Sequence, residues 1–552
     1  MRSLPLFCSL WLFALSETLQ AGSASWKLDP ASNDWNTALN WSPETVPNDP
    51  ADIATFGSSN TTAVSISAPT HVDSVVFDPN ASAFTFTTGT HHFTFLGPGI
   101  VNNSTGQQNF VTGLVDGGTI RFRNNATAGN AVFTVHGDAL QPYVSFYENA
   151  TAGDATFFNH GGFGGAVTWF FDSSTAGNAT FHNMDGGDGF NDGVTVFEDA
   201  STAGTANIFC EGGGAVFHKN SSAANSTLVA EGDNIVFDGQ ATAGDATLIA
   251  NGATSPDQFP AIIFFLADNA TAGNATLIAN GGINGGGGAR IVFWSQTRGS
   301  KARVEIFGNA LLDISSHSAL APMSIGSLEG TGTVLLGANN LSVGGNRLDT
   351  VFSGMISDDG AGGSITKAGG GTLTLKRASN YAGGTTVESG NLVIDNTVGS
   401  GTGTGPVQVI GGVLGGNGII AGAVTIGTGQ VGRGILAPAI NAIGLLTIES
   451  TLTFAPRGTY KWNVNTVGIA GDEIAAAGVT IANGALFSAI LRGNAALPIG
   501  AVFTLIDNTA ASAISGTFSN LPDGGTISTG NNTFQASYEG GDGNDLTLTV
   551  VP

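Results

Sequence analysis

The chain has 552 residues, of which 41% are hydrophobic and only 11% are charged, and it contains 83 glycines. This composition excludes wholesale disorder and a mainly helical protein, and it favours short strands joined by glycine-rich turns. The formal net charge of -24 argues against a nucleic-acid partner, because binding to a phosphate backbone needs clustered cations.

Residues 1–24 are predicted to be a secretory signal peptide. An arginine precedes the apolar run LPLFCSLWLFAL, and Gly22 and Ala24 suit a cleavage site. The run is too short to cross a bilayer as a helix, so we expect no transmembrane segment in the mature chain. Removal of the peptide with Cys8 would leave Cys210 alone, without any intrachain disulfide.

Residues 25–110 are predicted to form an N-terminal cap and the first coils of a solenoid. Trp26, Trp35 and Trp41 stand among prolines in an irregular stretch. The end of a solenoid exposes unpaired strand edges, and an irregular segment of this kind can cover them.

Residues 111–320 repeat the phrase NATAGNAT with variations. The Thr or Ser of each TAG recurs every 20 to 29 residues, at Thr127, Thr151, Thr175, Thr202, Ser222, Thr242 and Thr271. Six of the seven copies have a phenylalanine five residues before this position, from Phe122 to Phe237. Small and large apolar residues four and six places after it flank a mostly polar one. This alternation is the period of a β-strand and not of a helix.

A repeat of this length fits one coil of a solenoid, because propeller blades need about 40 residues. The predicted fold class is therefore all-β: a single-stranded right-handed parallel β-helix, or β-solenoid, with an N-terminal cap. Roughly 24 coils are expected, and equivalent side chains in successive coils should lie about 4.8 Å apart. In particular, we expect Phe146 to stack on Phe170.

The wording changes over residues 321–400, which contain GSITKAGGGTLTLKRASNYAGGTTVESGNLVIDN. This stretch resembles closely the autotransporter-associated β-strand repeat of bacterial passenger domains, through Lys367, Gly369, GTLTL, Asn380-Tyr381 and GGTTV. The resemblance implies an exported β-helical passenger. Residues 401–552 are similar to the ends of such passengers, and we expect them to form the last coils and a cap.

The full family carries a C-terminal translocator barrel, whose membrane strands alternate apolar and polar residues over about ten positions. The tail ends in DLTLTVVP, and we expect no such barrel within these residues. Self-secretion is therefore not expected, and another route of export would be needed.

Three groups of side chains could carry chemistry, and for each of them an ordinary structural role is the preferred interpretation. Asp172, Glu198, Asp199, Asp238 and Asp268 precede the TAG turns and are interpreted as solvated corner residues. His136 and His160 could stack and invite a zinc hypothesis, but the spacing fixes no third ligand. Asp542 and Asp545 lie in GGDGNDLTL, a single and imperfect copy of a calcium-binding nonapeptide.

Cys210 is predicted to be a small buried core residue, in a column with Val135, Ala230, Ala250 and Ala279. No Lys, Arg or His flanks it to lower the pKa of its thiol. The sequence thus predicts no catalytic, cofactor-binding or metal-binding residue, and no cofactor.

The predicted function is that of a secreted or cell-surface protein, adhesin-like or structural, that binds a polysaccharide or a cell-surface receptor without catalysis. It would lie outside the cell or at the surface of a bacterium, with the periplasm as the alternative location. The alternative function is a carbohydrate-active enzyme, a polysaccharide lyase or hydrolase, on the same scaffold. Exposed Trp169 and Trp294 on one face, beside acidic residues, would favour the enzyme or a sugar-binding surface.

Overall fold

The computed structural model describes residues 22–114, 118–138, 142–187, 191–267, 269–318, 322–429, 432–440 and 442–552. Within these ranges the chain forms a parallel β-solenoid of about 18 turns, with one short 3-10 helix at Ala38–Asn40. The prediction of an all-β parallel solenoid is confirmed. The expectation of roughly 24 coils is wrong, because both ends and several long loops use residues without adding turns. The proposed signal peptide lies almost entirely outside the described residues.

Face 1 is a sheet of sixteen strands that runs along the axis of the rod. Its pairings are parallel, except for the antiparallel first pair, which covers the N-terminal edge. In spatial order its strands are Trp41–Ser42, Ala24–Trp26, Ile53–Phe56, Thr70–Phe77, His92–Asn102, Thr119–Phe122, Tyr143–Phe146, Ala166–Phe170, Gly193–Phe197, Gly214–Phe217, Asn234–Phe237, Ile262–Phe265, Arg290–Phe293, Leu311–Asp313, Thr333–Leu335 and Met355–Ser357.

Face 2 is a second parallel ladder, in which each coil contributes one strand. The short strand Ala470–Gly471 joins it antiparallel to Thr459–Asn465. Its parallel strands are Ala63–Ser65, Thr85–Thr87, Asn109–Thr112, Val132–His136, Thr156–His160, Thr180–Met184, Asn207–Glu211, Thr227–Glu231, Thr247–Asn251, Thr276–Ala279, Arg303–Ile306, Ser327–Gly330, Thr350–Phe352, Thr372–Leu375, Asn391–Ile394, Val413–Gly415, Ile435–Leu436, Thr459–Asn465 and Leu486–Arg492.

A third sheet, face 3, begins only in the second half of the molecule. Its eight parallel strands are Met323–Ile325, Asn340–Val343, Ser364–Lys367, Thr385–Val387, Val407–Val409, Val424–Ile426, Leu452–Phe454 and Val479–Ile481. A C-terminal sheet of seven strands ends the described chain in antiparallel pairs; it contains Ile419–Ile420, Leu445–Ile448, Glu473–Ala476, Val502–Asn508, Asp545–Val551, Asn532–Gly540 and Thr526–Thr529.

Phenylalanine ladders fill the core of the first half. Phe146 and Phe170 stack with ring centroids 4.8 Å apart and planes 6° apart, as the repeat predicts. A second ladder on face 2 includes Phe157 and Phe181, with centroids 4.8 Å apart. The ladders meet edge to face, as Phe146 does with Phe157 at 6.0 Å and 78°. Both geometries are favourable for aromatic pairs, so matching side chains of successive coils hold the rod together.

The TAG phrase forms a tight turn on the third side of the first half. Thr151 pairs with Thr127 and Thr175 through single parallel bridges. Its side-chain oxygen accepts the Gly153 N–H at 3.1 Å, while Ala152 between them is fully buried. Gly153 has a φ of 64°, a left-handed conformation that costs glycine little. The phrase therefore recurs because it is the corner of each coil.

The N-terminal end is packed with tryptophan. Trp35 and Trp41 are fully buried, with ring centroids 4.8 Å apart, and Trp26 lies 5.1 Å from Trp41. The indole N–H of Trp35 donates to the Pro47 carbonyl at 2.9 Å, and that of Trp41 to the Trp35 carbonyl at 2.7 Å. These contacts give the first coil an apolar layer where a preceding coil would otherwise stack.

Candidate interaction surfaces

The outer side of face 1 between Arg121 and Trp294 is unusually apolar, and we call it the aromatic face. Side chains alternate along a strand. Because Phe122, Phe146 and Phe170 point inward, the residues directly before and after each of them point outward. The register aligns one outward column as Arg121, Ser145, Trp169, Val196, Val216, Val236, Phe264 and Val292. The neighbouring column holds Tyr147, Phe171 and Trp294 together with the polar Arg123, Glu198, His218 and Asp238. Sheets with one solvated face usually carry polar residues there, so this side departs from the ordinary pattern.

The aromatic rings on this face stack on one another. The ring centroids of Tyr147 and Phe171 lie 5.0 Å apart with planes 9° apart, and those of Trp169 and Phe171 lie 5.4 Å apart at 7°. Phe264 and Trp294 form a further pair at 5.7 Å and 15°. Nearly parallel rings this close lie face over face with an offset. The aromatic face therefore exposes the edges of its rings more than their faces.

Two arginines border the aromatic face at its N-terminal end. The Arg123 guanidinium lies 4.9 Å from the Tyr147 ring centroid, and the Arg121 guanidinium lies 5.6 Å from that of Tyr143. Arg121 also donates to the Tyr143 hydroxyl at 2.6 Å. Such cation–π contacts hold the rings in place, and Arg123 also forms an ion pair with Glu148 at 2.8 Å.

Both tryptophans singled out in the sequence lie on the aromatic face. Trp294 is 46% exposed and Trp169 is half-buried. Glu198 and Asp238 stand in the same outward column as Trp294. The arrangement expected to favour a sugar-binding surface or an enzyme is therefore present, although Trp294 alone keeps a large exposed area.

An acidic cleft lies at the corner where face 2 passes into face 1. It has a volume of about 840 Å³, and its lining includes Asp185, Asp192, Glu211, Glu231, Asp233, Phe259 and Ile283. Glu211 pairs with Glu231 on the adjacent strand, while Asp233 and Phe259 come from the loops. The cleft was not predicted from the sequence. The feature that could have indicated it is the pair Glu211 and Glu231 at equivalent positions of successive coils.

Asp233 is the most perturbed carboxyl of the cleft. Burial raises its pKa to about 6, and the negative charges of Asp192 and Asp185 add to the effect, against a hydrogen bond from the Asn234 backbone. A carboxyl with a pKa in that range could act as a general acid, and glycoside hydrolysis pairs such an acid with a second carboxyl at a fixed separation. In the part of the chain that the structure describes, no three His, Cys, Asp or Glu side chains converge to hold a metal ion.

The carboxylates that precede the TAG turns take part in hydrogen bonds between coils. The backbone N–H of Glu148 donates to Asp172 at 2.9 Å, and that of Asp172 donates to Asp199 at 3.2 Å. Lys219 ends the run with ion pairs to Asp199 at 2.8 Å and Glu198 at 3.1 Å. The hydrogen bond from Lys219 is the main cause that lowers the pKa of Asp199. These carboxylates thus connect coils, while Asp268 lies outside the described residues.

The residues of the two metal-site hypotheses, the histidine pair and the GGDGND turn, make contacts within the protein. His136 and His160 stack with centroids 5.4 Å apart, and burial together with the neighbouring His136 lowers the pKa of His160. Asp545 begins the last strand of a hairpin and accepts the Asn508 N–H at 2.9 Å. Burial raises the pKa of this carboxyl, and Asp507 and Asp542 add to the effect.

Cys210 is fully buried in the core, in register with Asn183 and Ala230. Burial raises the pKa of its thiol, which makes the nucleophilic thiolate rare. The prediction of a small buried core residue is confirmed. The same column also holds Asn159, whose amide donates to the Asn183 side-chain oxygen at 2.8 Å.

None of the described helices has the length and apolar character needed to cross a membrane.

Residues 365–394 match the family described as Passenger-associated-transport-repeat, within the stretch recognised from the sequence. A segment of 110 residues, 20% of this chain, is 40% identical to "Adhesin BmaC autotransporter" of Brucella suis biovar 1 (strain 1330) and covers 3% of that protein. The solved Hap adhesin of Haemophilus influenzae aligns with 92% of this chain and 65% of its own, at 10% identity and a TM-score of 0.32. The chain thus spans a small fraction of the curated relative. The family match makes residues 365–394 similar to a passenger-associated transport repeat.

Proposed function

We propose that the chain is an exported, adhesin-like passenger that acts outside the cell or at the bacterial surface, without catalysis. The family match and the adhesin relative support this class. The aromatic face is the observation that carries the proposal, because such an apolar outer surface is a common sign of an interaction site. Stacked coils present it as one continuous strip, which suits many weak contacts along a single surface.

The proposal assigns a role to each segment of the chain. Residues 1–24 would be removed on export, 25–110 would start the rod, and 111–320 would carry the aromatic face. The segments 321–400 and 401–552 would continue the solenoid and close it. The periplasm is the rival location, and protease treatment of intact cells separates the two: loss of the full-length chain supports surface exposure, and full protection rejects it.

A binding assay with purified chain tests the role of the aromatic face. The variant Trp169→Ser/Phe171→Ser should lower attachment to host cells or matrix-coated plates about tenfold, since apolar contact area and stacked aromatics drive such binding. The matched control is Val229→Ser/Ile249→Ser, which removes outward apolar residues from face 2. Equal loss in both variants, or loss in neither, would reject the aromatic face as the contact surface.

The acidic cleft favours the enzyme as the second candidate, because burial there raises the pKa of Asp233 to about 6. Wild-type chain and Asp233→Asn would be incubated with a panel of polysaccharides at pH 5 to 7, and reducing ends and unsaturated products would be measured. We expect no turnover by either chain. Turnover that Asp233→Asn abolishes would establish the enzyme and overturn the non-catalytic proposal.

A further inference from the structure

The repeated triplet Asn-Ala-Thr changes its chemistry at one coil. Its first residue stands three places after each TAG anchor, and on successive coils this column reads Asp154, Asn178, Thr205, Asn225, Asp245, Asn274 and then Lys301. Its third residue lies on face 2, where Thr247, Thr276, Arg303 and Ser327 are in register. A corner without cations on the preceding coils therefore becomes Lys-Ala-Arg at residues 301–303.

The Lys-Ala-Arg triplet lies in a groove. Lys301, Arg303 and Arg347 line an open groove of about 750 Å³ together with Asn274, Thr276 and Asn346. The loop that carries Arg347 is held over the preceding coil by the Asn346 amide, which donates to the Ser327 hydroxyl at 2.9 Å. No carboxylate is among the described residues that line the groove. Three cations from two distant parts of the sequence thus meet in a chain with only 17 Lys and Arg.

The positive charge of the groove is only partly compensated. Arg303 forms ion pairs with Glu329 at 2.8 Å and Glu305 at 3.0 Å. Lys301 and Arg347 are exposed, and over the described ranges neither has an ion-pair partner. A guanidinium and an ammonium without carboxylate partners, beside neutral amide and hydroxyl groups, can bind a sulfate or carboxylate through charge-assisted hydrogen bonds.

We propose that this groove binds the anionic groups of an acidic polysaccharide. The proposal rests on the adhesive function above and names the class of ligand. The polar Asn/Asp and Thr columns lead away from the groove along the rod, and they offer hydrogen bonds to sugar hydroxyls. Double-stranded DNA fits poorly, because a rigid duplex is bound by cations spaced along its phosphates and the preceding coils carry none at this corner, whereas a flexible polysaccharide can present a single anionic group to the groove.

The test uses the purified full chain with heparin as a sulfated probe and polygalacturonate as a carboxylate probe. Wild-type chain should bind at least one of them at 50 mM salt and release it at high salt, and the better probe identifies sulfate or carboxylate as the recognised group. Lys301→Gln/Arg347→Gln should weaken that binding about tenfold or more, through loss of two charge-assisted contacts. The matched control Lys376→Gln/Arg377→Gln removes the same charge from exposed residues outside the groove, and it should bind like wild type.

Several results would overturn the assignment. They are absence of binding to both probes, equal binding by the groove variant and wild type, and equal loss in both variants. Equally strong binding of duplex DNA or of phosphatidylglycerol vesicles to the same residues would replace the polysaccharide with another partner. Probe binding that survives Lys301→Gln/Arg347→Gln would reject the groove while attachment through the aromatic face stands, and loss of attachment in the Trp169→Ser/Phe171→Ser variant tests the adhesive function, so the two proposals fail separately.

Discussion

The two halves of the rod close the third side of each coil in different ways. In residues 119–313, the TAG region, two sheets are closed by a third side of single bridges between TAG turns. In residues 322–481, the three-sheet region, that side is a true sheet of three- and four-residue strands. The core changes with it, from stacked Phe146 and Phe170 to aliphatic residues such as Leu341, Ile365 and Leu373.

The comparison teaches that a turn can replace a strand if its side chains supply the missing order. In the TAG region, a Thr hydroxyl, a buried Ala and a left-handed Gly shape each corner, and a few large rings fill the space. The three-sheet region spreads its stabilisation over backbone ladders and many smaller side chains. We therefore expect the TAG region to be more sensitive to single substitutions in its aromatic ladder and its turns.

The largest effect is expected from the aromatic ladder. Phe170→Ala should destabilise its coils by about 4 kcal/mol, because it leaves a cavity and removes two stacked contacts at 4.8 Å. Leu373→Ala in the three-sheet region should cost about 3 kcal/mol. Hydrogen exchange resolved by peptide, together with urea denaturation, would measure both. A larger loss for Leu373→Ala would contradict the contrast between the regions.

The three-sheet region has its own weak point in Lys367, which is 1% exposed in the core. Its ammonium donates to the carbonyls of Ala368, Gly369 and Ser389, and burial lowers its pKa to about 8. Between pH 8 and pH 10.5 the folded lysine is neutral while the unfolded one is still charged, so the unfolded state binds more protons. The free energy of unfolding should then rise with pH, by roughly 2 kcal/mol after allowance for solvent screening.

Denaturation curves from pH 7 to pH 10.5 would show this rise in the wild-type chain. Lys367→Met removes the titrating group, so its curve should lack that component whatever its stability at pH 7. A parallel rise in both proteins would place the pH dependence elsewhere.

The TAG turns offer a smaller test with opposite signs. Gly244 has a φ of 63°, and Ala224 holds the same position one coil earlier at 50°. Gly244→Ala should destabilise by about 1 to 2 kcal/mol, while Ala224→Gly should stabilise by about 0.5 kcal/mol. Gly370 is a suitable control, since a Cβ there would meet no atom within 4 Å. Melting temperatures that move in the same direction for both turn variants would refute this account of the TAG turn.

The smallest effect on stability is expected outside the core. Phe171→Ser removes a half-buried ring that stacks on Tyr147 at 5.0 Å, and it should cost about 1 kcal/mol. Calorimetry of this variant beside Phe170→Ala compares outward and inward rings from adjacent positions. Equal losses would mean that the aromatic face is part of the structural core, which would weaken its assignment as a contact surface.

The sequence predicts the ladders because the TAG phrase fixes where each coil starts. Once Thr151 and Thr175 are aligned, the positions of Phe146, Phe170 and Cys210 follow from strand alternation. The same alignment leaves out Asn159 and Asn183, polar residues in an otherwise apolar interior column. They satisfy one another by hydrogen bonds across coils, which no single repeat reveals.

The clefts could not be predicted in the same way, because each joins residues of the repeat to loop residues outside it. Burial is the main cause of the raised pKa of Asp233, and the loop residues Asp192 and Asp185 of other coils add to it. Arg347 reaches Lys301 through a loop of the three-sheet region. Their proximity depends on how loops fold over neighbouring coils.

The unequal spacing of the TAG anchors, 20 to 29 residues, has one place in the fold. The TAG anchor follows the inward phenylalanine by five residues in six of the seven copies and by six between Phe265 and Thr271, so all but one of the extra residues enter where face 2 passes into face 1. Leu114, Phe163, Phe259 and Ile283 protrude along this edge. Insertions at this edge change the outline of the rod without changing the register of its stacked side chains. The surface presented to a partner can therefore vary along this edge while the interior stays the same.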